Sequence, residues 1–254
     1  MVLKAIIFDF DGTIADTERD GHRVAFNLAF EEFELDWYWH IHQYAKLLKV
    51  NGGEERIQHY IDELPPRLIM GLKTTLAQDL YAIKTKHYLN MLAQSDGIPF
   101  RPGILRIIKE AKHKGIKLAI ATSSTEINVI ALLKNRLGTE ASSWFDVIAT
   151  SNQVSNKKPE PDVYKYVLQA LELRPEDCIA IEDSEYGLKA AIGAGIKTLI
   201  TFNDYTSQED FKGAVAVLPH LGEIEQPIDT LANLKMSKNM VDCELLEYWC
   251  CSNP

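Results

Sequence analysis

The chain has 254 residues, 46% of them hydrophobic and 25% charged, a composition typical of globular proteins rather than of disordered or fibrous ones. Its 27 basic and 36 acidic residues give a formal net charge of −9, which argues against a protein that coats nucleic acid or an anionic membrane. No apolar run reaches the roughly 20 residues that cross a bilayer, and no signal peptide is recognisable. The four cysteines form neither a disulfide framework nor paired metal motifs. We therefore expect a cytoplasmic protein with reduced thiols.

Five short, nearly continuous apolar runs predict the strands of a parallel sheet. They are residues 4–8, 117–121, 147–150, 178–181 and 197–201. Apolar and polar residues do not alternate in them, which is typical of strands that helices cover on both faces. From residue 103 onward the runs alternate with apolar stripes of helical period, one ending at Gly115 and one following Pro161. The pattern predicts a doubly wound, Rossmann-like α/β core of right-handed βαβ units.

The interval between the first two strands is too long for one crossover connection, and its periodicity is helical throughout. We predict an inserted helical cap over residues 16–96 and a core formed by residues 1–15 and 97–254. The hinges are expected at Asp16 and at the segment Ser95-Asp96-Gly97. A looser segment, 223–238, is predicted to connect the sheet to a terminal helix over 241–249.

The residues that follow each strand are the candidates for chemistry, because open α/β sheets bind ligands beyond the carboxyl ends of their strands. Asp9 and Asp11 follow the first strand, and Gly12 permits a sharp turn after them. Neighbouring carboxylates are either solvated acids of an open loop or members of a site in which a cation compensates their charge. Glu182 and Asp183 follow the fourth strand as a second acidic pair.

Hydroxyl groups and a lysine complete the candidate set. Thr122 and Ser123 follow the second strand, where they could bind phosphoryl oxygens or cap the next helix. Lys158 precedes Pro159 after the third strand, either as a cation of the cleft or as a solvated turn residue. Two acidic pairs, a hydroxyl and a lysine at the ends of four strands together predict a site for a hard cation and a phosphate group.

At these residues the sequence resembles the haloacid dehalogenase-like superfamily, from Lys4 to about Pro219. The matching motifs are Asp9-Phe10-Asp11-Gly12-Thr13, Thr122, Lys158-Pro159 and Glu182-Asp183. The resemblance implies a phosphatase in which Asp9 is the nucleophile that forms an aspartyl-phosphate and Asp11 is the general acid and base. It also implies that Thr122 and Lys158 hold the phosphoryl group. The implied Mg²⁺ ligands are Asp9, the Asp11 backbone carbonyl, Glu182 and Asp183.

The predicted cap resembles that of the β-phosphoglucomutase-like branch, and most closely the CbbY family of sugar-bisphosphate phosphatases. The similar segments are Leu35-Asp36-Trp37-Tyr38-Trp39, Tyr44, Leu47-Leu48 and Gly52-Gly53-Glu54-Glu55-Arg56-Ile57. The resemblance implies hydrolysis of xylulose 1,5-bisphosphate, which inhibits the carbon-fixing enzyme of the Calvin cycle. The residues expected to contact the substrate are Asp16, His22, Tyr44, Gly52, Gly53, Arg56 and Ser123. Two glycines at a helix start followed by an arginine favour an anion site there.

One position departs from the family. Glu54 stands where the family usually has lysine, so an anion replaces a cation expected near the second phosphate. Lys46, Lys49 or Arg23 could compensate.

The interpretation has alternatives. They are a sugar-phosphate mutase of the β-phosphoglucomutase type, a broad-specificity sugar monophosphatase and a catalytically silent phosphate-binding protein. The pair of Asp9 and Asp11 argues against the last, because a binding module needs no acid and base beside a nucleophile. The expected partner is a small sugar phosphate bound by a monomer, without nucleic acid or membrane.

Overall fold

The computed structural model of the chain describes residues 2–50, 52–65, 73–94, 97–150, 152–228 and 239–252. The predicted hinge residues Ser95 and Asp96, and residues 229–238 of the predicted connecting segment, lie outside these ranges. The chain divides into two compact units. Unit 1 is Met1–Asp16 with Pro99–Pro254, and unit 2 is Thr17–Ile98. The predicted core and cap boundaries lie within two residues of this division.

Unit 1 is built on a parallel sheet of six strands within the described residues. They are β1 (Ala5–Phe8), β2 (Lys117–Ala121), β3 (Val147–Ala149), β4 (Cys178–Glu182), β5 (Lys197–Thr201) and β6 (Ala216–Leu218). Their order is β3-β2-β1-β4-β5-β6, with every neighbouring pair parallel. The five predicted strands are confirmed. We did not predict β6, whose three residues are too short a run and include the exposed Val217.

The helices fall into two groups. Unit 2 contains a π-helix (Thr17–His22) followed by α1 (Arg23–Glu32), α2 (Ile41–Leu47), α3 (Gly53–Asp62) and α4 (Leu76–Ala93). Unit 1 contains α5 (Ile104–Lys114), α6 (Glu126–Leu137), α7 (Asp162–Leu171), α8 (Glu185–Gly193) and α9 (Cys243–Cys251), with 3-10 turns at Ala141–Trp144 and Pro175–Asp177. Over the ranges that the structure describes, none of these helices combines the length and apolarity needed to cross a membrane.

The terminal helix begins two residues later than predicted. The Asp242 carboxylate accepts the Leu245 N–H at 2.9 Å, so Asp242 is the N-cap and Cys243 the first helical residue of α9. Val241, which we expected on the helix, precedes it and is fully buried.

Helices cover both faces of the sheet. On one face, Val163, Val167 and Leu171 of α7 and Ala190 and Ala191 of α8 pack against apolar side chains of β1, β2 and β4. On the other face, α5 and α9 contact each other, with α5 on β2 and α9 on β4. Full burial of an aliphatic side chain stabilises the fold by about 1.5–3 kcal/mol. The doubly wound α/β architecture is therefore confirmed.

Unit 2 folds around an aromatic cluster. Trp39 has no exposed surface, and its ring centroid lies 4.7–5.8 Å from those of Phe26, Phe30, Tyr44 and Tyr60. The Asn27 side chain holds the Trp39 backbone by accepting its N–H at 2.8 Å and donating to its carbonyl at 3.1 Å. Such contacts between aromatic rings contribute stability beyond the area they bury. Trp39 is therefore a core residue of unit 2.

Candidate active site

The candidate site lies at the carboxyl edge of the sheet, between β1 and β4. In this pair Phe8 is in register with Ile181, and the Asp9 N–H extends the ladder by donating to the Ile181 carbonyl at 2.9 Å. Asp9 therefore lies beside Glu182, the last residue of β4. The strand order reverses between β1 and β4, which is where open α/β sheets bind ligands.

Three carboxylates meet at this edge. Ligand atoms of Asp9, Glu182 and Asp183 lie within 4.8 Å of one another, and the three residues are 7%, 0% and 6% exposed. Burial raises the pKa of Glu182 to about 7; the charge of Lys158 opposes this rise and that of Asp9 adds to it. Burial, with the charges of Asp9 and Glu182, also raises the pKa of Asp183 well above its usual range. These acids are not solvated loop residues, and their oxygen atoms fit a hard divalent cation such as Mg²⁺.

Lys158 supplies the positive charge of the cluster. Its Nζ donates to Asp9 Oδ1 and Glu182 Oε1, both at 2.6 Å, and to the Ala121 carbonyl at 2.9 Å. The side chain is 8% exposed. Burial alone would lower the pKa of this ammonium group, but the two carboxylates raise it above its ordinary value. The alternative of a solvated turn lysine is therefore wrong.

Tyr164 is a site residue that the sequence did not reveal. Its hydroxyl donates to Glu182 Oε1 at 2.5 Å, and the Lys158 Nζ lies 5.2 Å from the centre of its ring. Burial, followed by the charges of Glu182 and Asp9, raises the pKa of Tyr164 well above its usual range, so the phenol remains a donor. Tyr164 shares the buried face of α7 with Val163 and Val167, whereas the apolar stripe predicted from the sequence contained Tyr166 in its place.

The other predicted core residues occupy the surrounding loops. Asp11 is half-buried in the turn after β1, and Asp16 forms an ion pair with Arg101 at 3.2 Å. The Thr122 hydroxyl accepts the Ser124 N–H at 2.9 Å and is 2% exposed, whereas Ser123 is exposed. The roles of these residues toward a substrate stay predictions.

Arg56 of unit 2 lies in a hydrogen-bonded network. It is 8% exposed, and its guanidinium donates to the carbonyls of Leu47 at 3.1 Å and Val50 at 3.3 Å. It also donates to the Tyr44 hydroxyl at 2.8 Å, and that hydroxyl donates to Glu18 at 2.6 Å. Arg56 and Tyr44 thus connect the segment before α3 to the π-helix. Their predicted contacts with a phosphate group stay predictions.

The two glycines begin α3 as the sequence indicated. Gly52 is the N-cap with a φ of +94°, and a Cβ there would collide with the Glu55 carboxylate. The side chain of Glu55, the third residue of the helix, therefore folds back toward the helix start. Glu54 is exposed. A carboxylate of the chain itself already faces this helix start, and the predicted anion site there stays a prediction.

His22 is paired with a lysine that the sequence analysis missed. The Lys84 Nζ lies 2.8 Å from His22 Nδ1, and the His22 ring stacks on Tyr88 with centroids 3.9 Å apart. Because lysine only donates, Nδ1 accepts and the imidazole proton is assigned to Nε2. Burial, with the charges of Lys84 and Arg56, holds the pKa of His22 well below its usual value. Lys84 stands between Tyr81 and Tyr88 of α4, a pattern that indicates packing and does not reveal the pairing with His22.

The sequence is similar to a known family and to individual proteins. The model of the haloacid dehalogenase-like hydrolase family matches residues 6–201. This chain belongs to that family. Protein CbbY (plasmid) of Cupriavidus necator is 47% identical over 227 residues, which cover 89% of each protein. β-Phosphoglucomutase of Bacillus subtilis is 30% identical over 76% of this chain and 81% of its own.

Solved structures support the same assignment. CbbY of Rhodobacter sphaeroides in complex with phosphate has a TM-score of 0.73 and 39% identity, covering 93% of this chain and all of its own. A mutant of that protein in complex with xylulose 1,5-bisphosphate has the same score and identity, covering 89% of this chain and 98% of its own. The chain is therefore a haloacid dehalogenase-like phosphatase of the CbbY family.

Proposed function

We propose that this phosphatase hydrolyses the 1-phosphate of xylulose 1,5-bisphosphate in a reaction that requires Mg²⁺. The observation that carries the proposal is the cluster of Asp9, Glu182 and Asp183 around the Lys158 ammonium group. The complex of the Rhodobacter sphaeroides CbbY mutant with this bisphosphate supports the choice of substrate.

Asp9 is the proposed nucleophile. Its carboxylate attacks phosphorus, the Asp9 O–P bond forms and the bond from phosphorus to the sugar oxygen breaks. Asp11 protonates the leaving alkoxide and then takes a proton from the water that attacks the aspartyl-phosphate. That second attack breaks the Asp9 O–P bond, releases inorganic phosphate and restores the Asp9 carboxylate and the protonated Asp11.

The approach of an anionic nucleophile to a phosphate group requires positive charge. Lys158 already touches Asp9 and would share its charge with the phosphoryl oxygens, to which Thr122 would also donate. Asp9, the Asp11 carbonyl, Glu182 and Asp183 are the proposed Mg²⁺ ligands. When bound, the ion supplies the remaining charge that offsets repulsion between carboxylate and phosphate.

Selectivity for a bisphosphate requires contacts with the part of the substrate that does not react. The residues proposed to recognise the rest of the substrate are Asp16, His22, Tyr44, Gly52, Gly53, Arg56 and Ser123. Within unit 2, hydrogen bonds hold the Arg56 guanidinium and the Tyr44 hydroxyl in fixed positions, which supports their proposed roles as donors. The exposed Glu54 argues for testing bisphosphate preference directly.

The test is phosphate release from a panel containing xylulose 1,5-bisphosphate, ribulose 1,5-bisphosphate and C5 and C6 sugar monophosphates. We expect the highest kcat/KM for xylulose 1,5-bisphosphate, with loss of activity in excess chelator. Mg²⁺ should restore activity better than Ca²⁺, because a compact octahedral ion fits this set of carboxylates. Full activity in chelator would refute the metal requirement, and equal turnover of monophosphates would indicate a broad sugar phosphatase.

A mutase is the second candidate, since the Bacillus subtilis β-phosphoglucomutase is 30% identical. A mutase converts a sugar monophosphate to its isomer with little release of inorganic phosphate. Isomer formation exceeding phosphate release would favour the mutase.

A further inference from the structure

The Arg101 side chain joins the loops that follow three strands of the sheet. It is 7% exposed and lies just before α5. Its guanidinium donates to four backbone carbonyls, those of Gly12, Thr201 (2.7 Å), Phe202 (2.6 Å) and Pro219 (2.7 Å). Its Nε also pairs with Asp16 Oδ1 at 3.2 Å. The planar Arg101 guanidinium therefore holds together the segments that follow β1, β5 and β6.

Hydrogen bonds hold both the N–H and the carbonyl of Gly12 in the turn after β1. The Gly12 N–H donates to the Ala15 carbonyl at 2.8 Å, and its own carbonyl accepts from Arg101 and from Asn203 Nδ2, the latter at 3.4 Å. The φ of Gly12 is +88°, and a Cβ there would overlap the Asp183 carboxylate and lie 2.7 Å from Asn203 Nδ2. The turn after Asp11 thus crosses directly over Asp183, and only glycine fits.

Asn203 connects this turn to the acidic cluster. Its Nδ2 donates to Asp183 Oδ2 at 2.7 Å, and its Oδ1 accepts the Tyr205 N–H at 2.9 Å. The second bond fixes the orientation of the amide, so that its donor side faces Asp183. The positive charge of Arg101 also partly opposes the rise in the pKa of Asp183.

We propose that Arg101 and Asn203 are positioning residues that hold the Asp11–Gly12 turn and the Asp183 carboxylate in the arrangement that binds Mg²⁺. This inference rests on the proposed function. Neither residue needs to touch substrate or metal, because each acts through groups that do. Partners of metal ligands commonly change metal affinity by about 10-fold to 100-fold when they are replaced.

Arg106 provides a matched control for Arg101. Its guanidinium also donates to backbone carbonyls, those of Val241 at 2.8 Å, Leu221 at 3.1 Å and Gly222 at 2.7 Å, and its Nε lies 3.8 Å from Glu223. These partners belong to the segments that flank β6 and α9 rather than to the loop after β1. Replacement of either arginine by lysine removes a planar donor group and keeps the charge, but only Arg101→Lys releases Gly12.

The experiment is calorimetric titration of the full chain with MgCl2, together with thermal unfolding with and without Mg²⁺. We expect the Mg²⁺ dissociation constant to rise about 10-fold or more in Asn203→Ala, which loses a direct partner of Asp183, and in Arg101→Lys. Arg106→Lys should lower Tm by a similar amount to Arg101→Lys but bind Mg²⁺ within about twofold of wild type. If Arg101→Lys does not fold, Asn203→Ala decides the question.

The outcomes separate the two proposals. Unchanged Mg²⁺ affinity in the folded variants, or an equal loss in Arg106→Lys, would overturn the positioning roles while leaving the proposed function intact. Absence of Mg²⁺ binding by wild type would overturn the metal requirement itself, and this inference with it.

Discussion

The Tyr164 hydroxyl offers a sensitive test of the buried cluster. Tyr164→Phe removes one oxygen atom, keeps the ring and leaves no appreciable cavity. The lost interaction is a hydrogen bond to a buried carboxylate, Glu182, and such bonds contribute about 1.5–3 kcal/mol. In the variant, Lys158 still donates to the same oxygen at 2.6 Å. We therefore expect Tyr164→Phe to lower the free energy of unfolding by about 1.5 kcal/mol, the lower end of that range, when Glu182 is ionised.

The loss of stability in Tyr164→Phe should depend on pH because Glu182 titrates. Its folded pKa of about 7 lies above the ordinary value of 4.5, and the Tyr164 hydroxyl lowers that pKa by favouring the ionised form. Near pH 5.5 the folded protein holds Glu182 protonated, so the variant loses only a neutral hydrogen bond. As pH rises through about 7, Glu182 ionises and the loss grows. The free energy of unfolding should therefore fall by about 0.5 kcal/mol at pH 5.5 and by about 1.5 kcal/mol at pH 8.

The assay is denaturant unfolding in chelator at both pH values, with Tyr166→Phe as the control. Tyr166 lies on the same helix and is 40% exposed, so its variant should match wild type within about 0.5 kcal/mol. Equal stabilities of the two variants at pH 8, or a larger loss for Tyr164→Phe at pH 5.5, would contradict a hydrogen bond that strengthens as Glu182 ionises.

Three further predictions concern the catalytic turn and unit 2. Asp11→Asn should hydrolyse the aspartyl-phosphate poorly and lose more activity on sugar phosphates than on an aryl phosphate; equal losses would contradict a general-acid role. Unfolded His22 takes up a proton below about pH 6.5, whereas folded His22 resists protonation. As the pH is lowered below about 6.5, the free energy of unfolding should therefore decrease by up to about 1.4 kcal/mol per pH unit. Denaturant unfolding should show that slope reduced in His22→Gln but retained in His59→Gln, an exposed control. Arg56→Ala should lower kcat/KM for the bisphosphate about tenfold and hardly change that for an aryl phosphate, whereas equal losses would indicate that Arg56 only supports the fold.

The sequence predicted the sheet and part of the site for the same physical reason. Strands buried on both faces need continuous apolar runs, and polar residues that end such runs must lie at one edge of the sheet. Asp9, Lys158 and Glu182 were found in this way.

Arg101, Tyr164 and Lys84 were not found, because neither their position in the chain nor their neighbours in the sequence indicate their partners. Arg101 binds carbonyls 89 to 118 positions away in the chain, and a carbonyl is present at every residue. Tyr164 lies on the buried face of α7, where the sequence pattern does not distinguish a packed ring from a hydroxyl that donates to Glu182. Lys84 likewise lies among aromatic residues of α4, and its Nζ is 5.9 Å from the ring centre of Tyr81 and 5.1 Å from that of Tyr88. Only the folded chain brings these donors to their acceptors.

The aspartyl-phosphate is tested most directly by acid-quenched transfer of radiolabelled phosphate from the 1-position of xylulose 1,5-bisphosphate to the protein in a single turnover with Mg²⁺. We expect label on the peptide that contains Asp9 in wild type, longer-lived label in Asp11→Asn and none in Asp9→Asn. Label on another residue, or release of phosphate by Asp9→Asn at the wild-type rate, would contradict an aspartyl-phosphate at Asp9.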